Sequence, residues 1–112
     1  MISHKQVEKY LLSLPKSTLE YPFDEKTAVY KINFSKKEPK MFALIAEKSD
    51  PVRISLKCDP KLAIILRKKY ETVMPGYHLN KKNWNTIVLT GQLPWEEIKG
   101  FIDHSYQLVS QD

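Results

Sequence analysis

Cys58, His78 and an amide at Asn80 or Asn85 supply the residue types of a thiol nucleophile, a base and an orienting third group. The surrounding sequence argues against that chemistry. Asp59 follows directly, and its negative charge disfavours a thiolate, although a helix starting just downstream acts in the opposite sense. Val52, Ile54, Leu56 and Cys58 alternate with Arg53, Ser55 and Lys57, so the cysteine shares the apolar face of a strand. Cys58 therefore reads as a small buried hydrophobe. Metal chemistry has less to build on. His4, His78 and His104 stand alone, with no CxxC, HExxH or paired-Asp spacing. The chain has three glycines and neither a GxGxxG nor a P-loop. The acids Glu20, Asp24, Glu25 and Asp103 form no recognisable carboxylate pair, and Asp103 and His104, adjacent on a helix, do not face each other. No catalytic residue, metal ligand or cofactor is assigned, and the chain reads as a non-enzyme.

The stretch PGYHLNKKNWN, Pro75 to Asn85, is the densest in recognition chemistry. Lys81 and Lys82 suit phosphates. Asn80, Asn83 and Asn85 suit phosphates or base edges, and Tyr77 and Trp84 offer stacking surfaces. The same residues also make a structural corner. On that reading Gly76 supplies a positive φ, the asparagines satisfy loop backbone, and Trp84 opens a strand and packs inward. Composition leaves both readings open.

Charge favours an anionic partner. The net charge is +5, unevenly spread over the 112 residues. Residues 53–82 carry eight Lys and Arg against two acids, whereas residues 83–112 carry one lysine against four acids. A basic middle attracts a phosphate backbone. One cysteine excludes an intramolecular disulfide and points to a reducing, cytoplasmic setting. Lys5, Glu8 and Lys9 interrupt any secretory apolar region, and no run reaches the roughly 20 apolar residues of a membrane span.

These residues need elements to hold them. Ser3 with Gln6 makes a capping box, Ile2 and Val7 a hydrophobic staple, and Val7, Tyr10, Leu11 and Leu14 one helical face that Pro15 ends. Ala28, Tyr30, Ile32 and Phe34 share one face of a strand over 27–34. Residues 40–47 have the length of a central strand, and 52–58 is a half-buried strand with a cationic outer face. Asp59 caps and Pro60 opens a second helix, whose last turn holds Arg67, Lys68 and Lys69 where the dipole favours cations. Residues 85–91 make a β-branched strand. A last helix begins near Pro94 and packs on Trp95, Ile98, Phe101, Ile102, Ser105, Leu108 and Val109. Gly100 inside it costs up to about 1 kcal/mol against alanine unless close packing requires it. The result is one α+β domain spanning residues 1–112. It has two layers, an antiparallel sheet with flanking helices, in the order α-β-β-β-α-β-(β)-α. The sheet face away from the helices is expected to be open and partly polar.

The blocks YPF (Tyr21–Phe23), KMFALI (Lys40–Ile45), LKCDP (Leu56–Pro60), PGYHLNKKNWN (Pro75–Asn85) and IDHSYQLV (Ile102–Val109) occur in an order that resembles the MmcQ/YjbR family. The resemblance covers essentially the whole chain, and the 75–85 block is its specific part. It implies a small bacterial cytoplasmic α+β protein, similar in fold to type III secretion chaperones, with a "double wing" DNA-binding motif. Carried over residue by residue, it singles out Lys57 and, in the long block, His78, Asn80, Lys81, Trp84 and Asn85. Asn83 stands where many relatives would carry histidine. The resemblance and the charge together make DNA the expected partner of a monomer. Lys57, His78, Asn80, Lys81, Lys82, Asn85 and Arg53 form the expected interface. The turns at 35–39 and 47–51 act as wings, with Lys36, Lys37, Lys40 and Lys48 at phosphates. The competing readings are a protein-interaction or chaperone-like module using the open sheet face, and a small-ligand site around Lys57, His78 and Asn80.

Overall fold

The computed structural model describes residues 2–76 and 79–111. Ser3 Oγ accepts the Gln6 N–H at 3.1 Å, so α1 (His4–Ser13) starts where the capping pattern places it. Val7 and Leu11 are its buried stripe. Four strands follow: β1 (Ser17–Glu20), β2 (Thr27–Ile32), β3 (Lys40–Ala46) and β4 (Arg53–Lys57). Then come α2 (Pro60–Lys69), β5 (Val73–Pro75), β6 (Trp84–Val88) and α3 (Trp95–Ser110). Asp59 Oδ2 accepts the N–H groups of Lys61 and Leu62, which caps α2 as its sequence requires.

All strand pairs are antiparallel, in the order β1-β2-β3-β4-β6-β5. The α+β class and layered sheet are as expected from the sequence, with one strand more at the edge. β1 has a single apolar residue, Leu19, which is too little for a period-2 signal. Its strand character comes from pairing with β2, Ser17 opposite Ile32 and Glu20 opposite Val29.

The helices cover one sheet face. Ala28, Tyr30 and Ile32 of β2 and Ile54 and Leu56 of β4 pack there with Val52 and Cys58, in the alternation expected. Burial of each large aliphatic side chain contributes about 1.5–3 kcal/mol. The register slips between Tyr30 and Lys31, which pair with Ala43 and Met41, so β3 bulges at Phe42. The β3–β4 ladder is paired from Ile45–Ile54 to Ala43–Leu56. One step beyond, Ser105 of α3 bridges the two strands. Its hydroxyl accepts the Lys57 N–H at 3.0 Å and donates to the Phe42 carbonyl at 2.6 Å. Ser105 is fully buried, so it extends the ladder where no water reaches.

The outer face departs from expectation. It is not open across its middle. Val29, Leu44 and Trp84 form a second apolar cluster there, with Met41 and Leu79 packed on it. None of the described helices is long and apolar enough to cross a membrane.

Candidate functional site

Pro75, Gly76 and the residues from Leu79 to Trp84 are held from three sides. α2 presents Arg67, whose Nε donates to Asn85 Oδ1 at 2.7 Å, while Nη2 donates to the carbonyls of Trp84, at 3.1 Å, and of Lys81. The end of β4 is the second hold, where the Cys58 N–H donates to the Asn83 carbonyl at 2.7 Å. The third is the β5–β6 ladder, continued by the Gly76 N–H to the Trp84 carbonyl at 2.9 Å. Gly76 is here for space rather than for a positive φ, which corrects the sequence reading. A Cβ on it would sit 2.7 Å from the Trp84 Cβ.

Asn80 builds the turn itself. Its Oδ1 accepts the Lys82 N–H at 3.0 Å, and its carbonyl accepts the N–H groups of Asn83 and Trp84 at 3.2 and 3.0 Å. This turn leaves Lys81 and Lys82 exposed. Trp84 is only 7 % exposed and lies in the outer-face cluster, so it anchors the turn and offers no stacking surface. The corner reading therefore holds for Trp84.

Strand register decides which expected site residues meet. Lys57 lies directly across from Trp84, at the end of β4 next to the turn carrying Lys81 and Lys82. Because the strands alternate in direction, the β2–β3 turn with Lys36 and Lys37, and the start of β3 at Lys40, lie at this same end of the sheet. The Lys37 ammonium sits 4.3 Å from the centre of the Phe34 ring. From β6 to β2 is three strand spacings, about 14 Å. Arg53 pairs with Val88 at the opposite end, four residues or about 13 Å along β4. The turn with Lys48 is at that end too, so the two proposed wings sit at opposite ends of the sheet. Asn85 points away from Lys57, into the helix layer. It is 2 % exposed, and besides accepting from Arg67 it donates to the Ala63 carbonyl at 3.4 Å. Its side chain belongs to the scaffold and not to an exposed interface. The roles expected of His78 and Tyr77 lie outside the described residues.

Two residues have more to do than their sequence positions indicate. Arg67 looks like a helix-end cation until Asn85, eighteen residues on, is brought beneath it. His104 accepts the Asp59 N–H at 3.2 Å through Nε2, assigned from the bonding pattern. With Cys58 it lines a crevice of about 10 Å³ beneath β4, room for one water at most. Burial first, then the Asp59 charge, pushes the Cys58 thiol up to about 11, against the opposing pull of Arg67. The thiolate is thus disfavoured at neutral pH. Among the described residues, no three His, Cys, Asp or Glu side chains converge as metal ligands.

This architecture is a six-stranded antiparallel α+β layer whose one end gathers lysines from three separate segments. The YjbR family model matches residues 12–108, and the chain belongs to that family. It is 42 % identical over 72 residues to the uncharacterized protein YjbR of Escherichia coli K12, a match covering 64 % of the chain and 61 % of that relative's length. It is 30 % identical over 106 residues to the uncharacterized protein YbdF of Escherichia coli O157:H7, covering 95 % and 83 %. Among solved structures, the Deinococcus radiodurans protein DR2400, a DUF419 domain, superposes with a TM-score of 0.93 at 37 % identity, over all of this chain and 81 % of the other. A Pseudomonas syringae protein matches with a TM-score of 0.80 at 31 % identity, over 96 % and 99 %.

Proposed function

We propose that the protein binds duplex DNA, mainly through backbone phosphates, at the sheet end that gathers Lys57, Lys81 and Lys82, with Lys36, Lys37 and Lys40 alongside. The observation carrying this reading is the convergence of cations from β4, the 79–83 turn and the β2–β3 turn on one edge. Exposed lysines on a braced turn suit phosphate contacts, which position a protein without reading sequence. Their spread of about 14 Å is on the scale of the ~12 Å major groove. Arg53, at the far end, serves as a second and separable contact. Asn80 keeps its amide nitrogen for a phosphate while its Oδ1 holds the turn.

A mobility-shift titration across a salt series tests the reading. Binding should weaken with salt, and the slope of log K against log salt should flatten by about 0.9 for each phosphate that is no longer neutralised. Lys57→Ala/Lys81→Ala/Lys82→Ala should therefore lower affinity at every salt concentration and flatten the slope. A triple variant that binds as well as the wild type would show that this edge is not the interface.

A further inference from the structure

We propose that the groove between α2 and α3 seats α2 of a second copy of this chain, making a two-fold dimer. The groove has a volume of about 470 Å³. Leu62, Pro94, Gly100 and Phe101 line it, and Glu96 and Glu97 stand on the α3 side. Beside it, α2 exposes two adjacent isoleucines, Ile64 at 51 % and Ile65 at 56 %. Ile65 is three residues on from Leu62, so ridge and groove neighbour each other on one helix. Lys61 precedes Ile65 by one turn, and Lys68 and Lys69 follow it by one turn. The chain therefore carries an apolar ridge edged with lysines and an apolar groove edged with glutamates. A two-fold axis beside α2 lays each ridge in the other copy's groove and sets lysines against acids at both edges. An isologous contact requires that self-complementarity.

Gly100 is an independent pointer. It sits inside α3, where glycine weakens a helix. No described residue calls for it, since a Cβ there would meet no atom within 4 Å. Bare backbone on the groove wall admits a closely approaching element. The described residues supply none, and a second copy's α2 does. A monomer is the expectation from the charge and the family resemblance, and this proposal departs from it. The inference does not rest on DNA binding, because it is argued from the ridge, the groove and Gly100 alone.

Sedimentation of the full chain, from micromolar concentrations to about 1 mM at the weak end of specific affinity, tests it. The mass should rise from monomer towards dimer. Ile65→Glu should stay monomeric throughout with an unchanged thermal midpoint, because Ile65 is exposed. Lys61→Glu/Lys68→Glu and Glu96→Lys/Glu97→Lys should each weaken association at least tenfold, and the four changes together should restore it. Gly100→Leu should raise the thermal midpoint of the dilute chain while weakening association. A chain that stays monomeric throughout overturns the proposal. So does a dimer that neither Ile65→Glu nor the charge reversals weaken.

Discussion

Arg67 Nε and Asn85 Oδ1 meet at 2.7 Å across the gap between α2 and β6. This bond joins the last turn of a helix to a buried amide, and the same guanidinium also holds two carbonyls of the 79–84 segment. One side chain thus fixes where Lys81 and Lys82 are displayed.

Arg67→Ala should cost about 1–3 kcal/mol, because it leaves the Asn85 Oδ1 buried without its charged donor. Arg67→Lys should recover little of that, since an ammonium cannot reproduce the planar fork that spans three acceptors. Urea unfolding of both variants, compared at equal slope, checks this. A lysine variant as stable as the wild type would mean that charge alone matters here.

Gly76→Ala should destabilise by about 1–3 kcal/mol, as overpacking does when backbone must shift. The new methyl falls 2.7 Å from the Trp84 Cβ and 3.1 Å from the Trp84 carbonyl oxygen, neither of which is the far end of a flexible chain. Trp84 fluorescence should report the displacement, and an unchanged emission with unchanged stability would count against the close approach.

Ser105→Ala should cost about 1–3 kcal/mol by removing the hydroxyl that bridges the Lys57 N–H and the Phe42 carbonyl in a dry site. Hydrogen exchange at Lys57 should speed up more than at Ser55, whose neighbours on β3 and β6 are in register. Equal protection at both amides in the variant would argue against the bridge.

Alkaline pH should unfold the protein early. The hydrogen bond to Asp103, then burial, pushes the Tyr10 phenol from 10.0 up to about 12. Cys58 rises from 9.0 to about 11 and Tyr30 is raised by burial. In each case folding favours the protonated form, so the folded pKa lies above the unfolded one. The stabilisation is complete below about pH 9 and is lost as pH climbs through the folded values towards 11 and 12. Urea midpoints taken from pH 8 upward should fall past pH 9. Tyr10→Phe/Cys58→Ala should fall less steeply, and a parallel decline would assign the effect to other groups.

Several elements can be read from the sequence because their signals are local. Ser3 and Asp59 mark helix starts through bonds to residues two or three positions on, and Pro60 marks one by its preset φ at the first helical position. Val52 to Cys58 shows its buried face by alternation alone. Gly76, Arg67 and β1 are not readable in this way, because their roles depend on partners distant in sequence. Glycine at 76 is required by Trp84 and not by the turn's own dihedrals. Lys57 can be placed on the outward face of β4 from its strand pattern. Its position beside the 79–83 turn follows from β6 pairing with β4 after α2 and β5 intervene. Asn85 misleads as a sequence position, because an exposed-looking amide in a polar block gives no sign of an arginine above it.

The bracing of the 79–83 turn bears on how such a surface can diverge. Position 83 contributes its carbonyl to the Cys58 N–H and its own N–H to Asn80, both from the main chain. Any residue that keeps a main-chain N–H can make these two bonds, whatever its side chain. Lys81 and Lys82 likewise hold the turn through no side-chain bond of their own among those described, whereas Asn80 holds it through Oδ1. The turn is a mount with exchangeable fittings, in which Lys81 and Lys82 can change while folding stability stays with Arg67, Gly76 and Trp84 beneath.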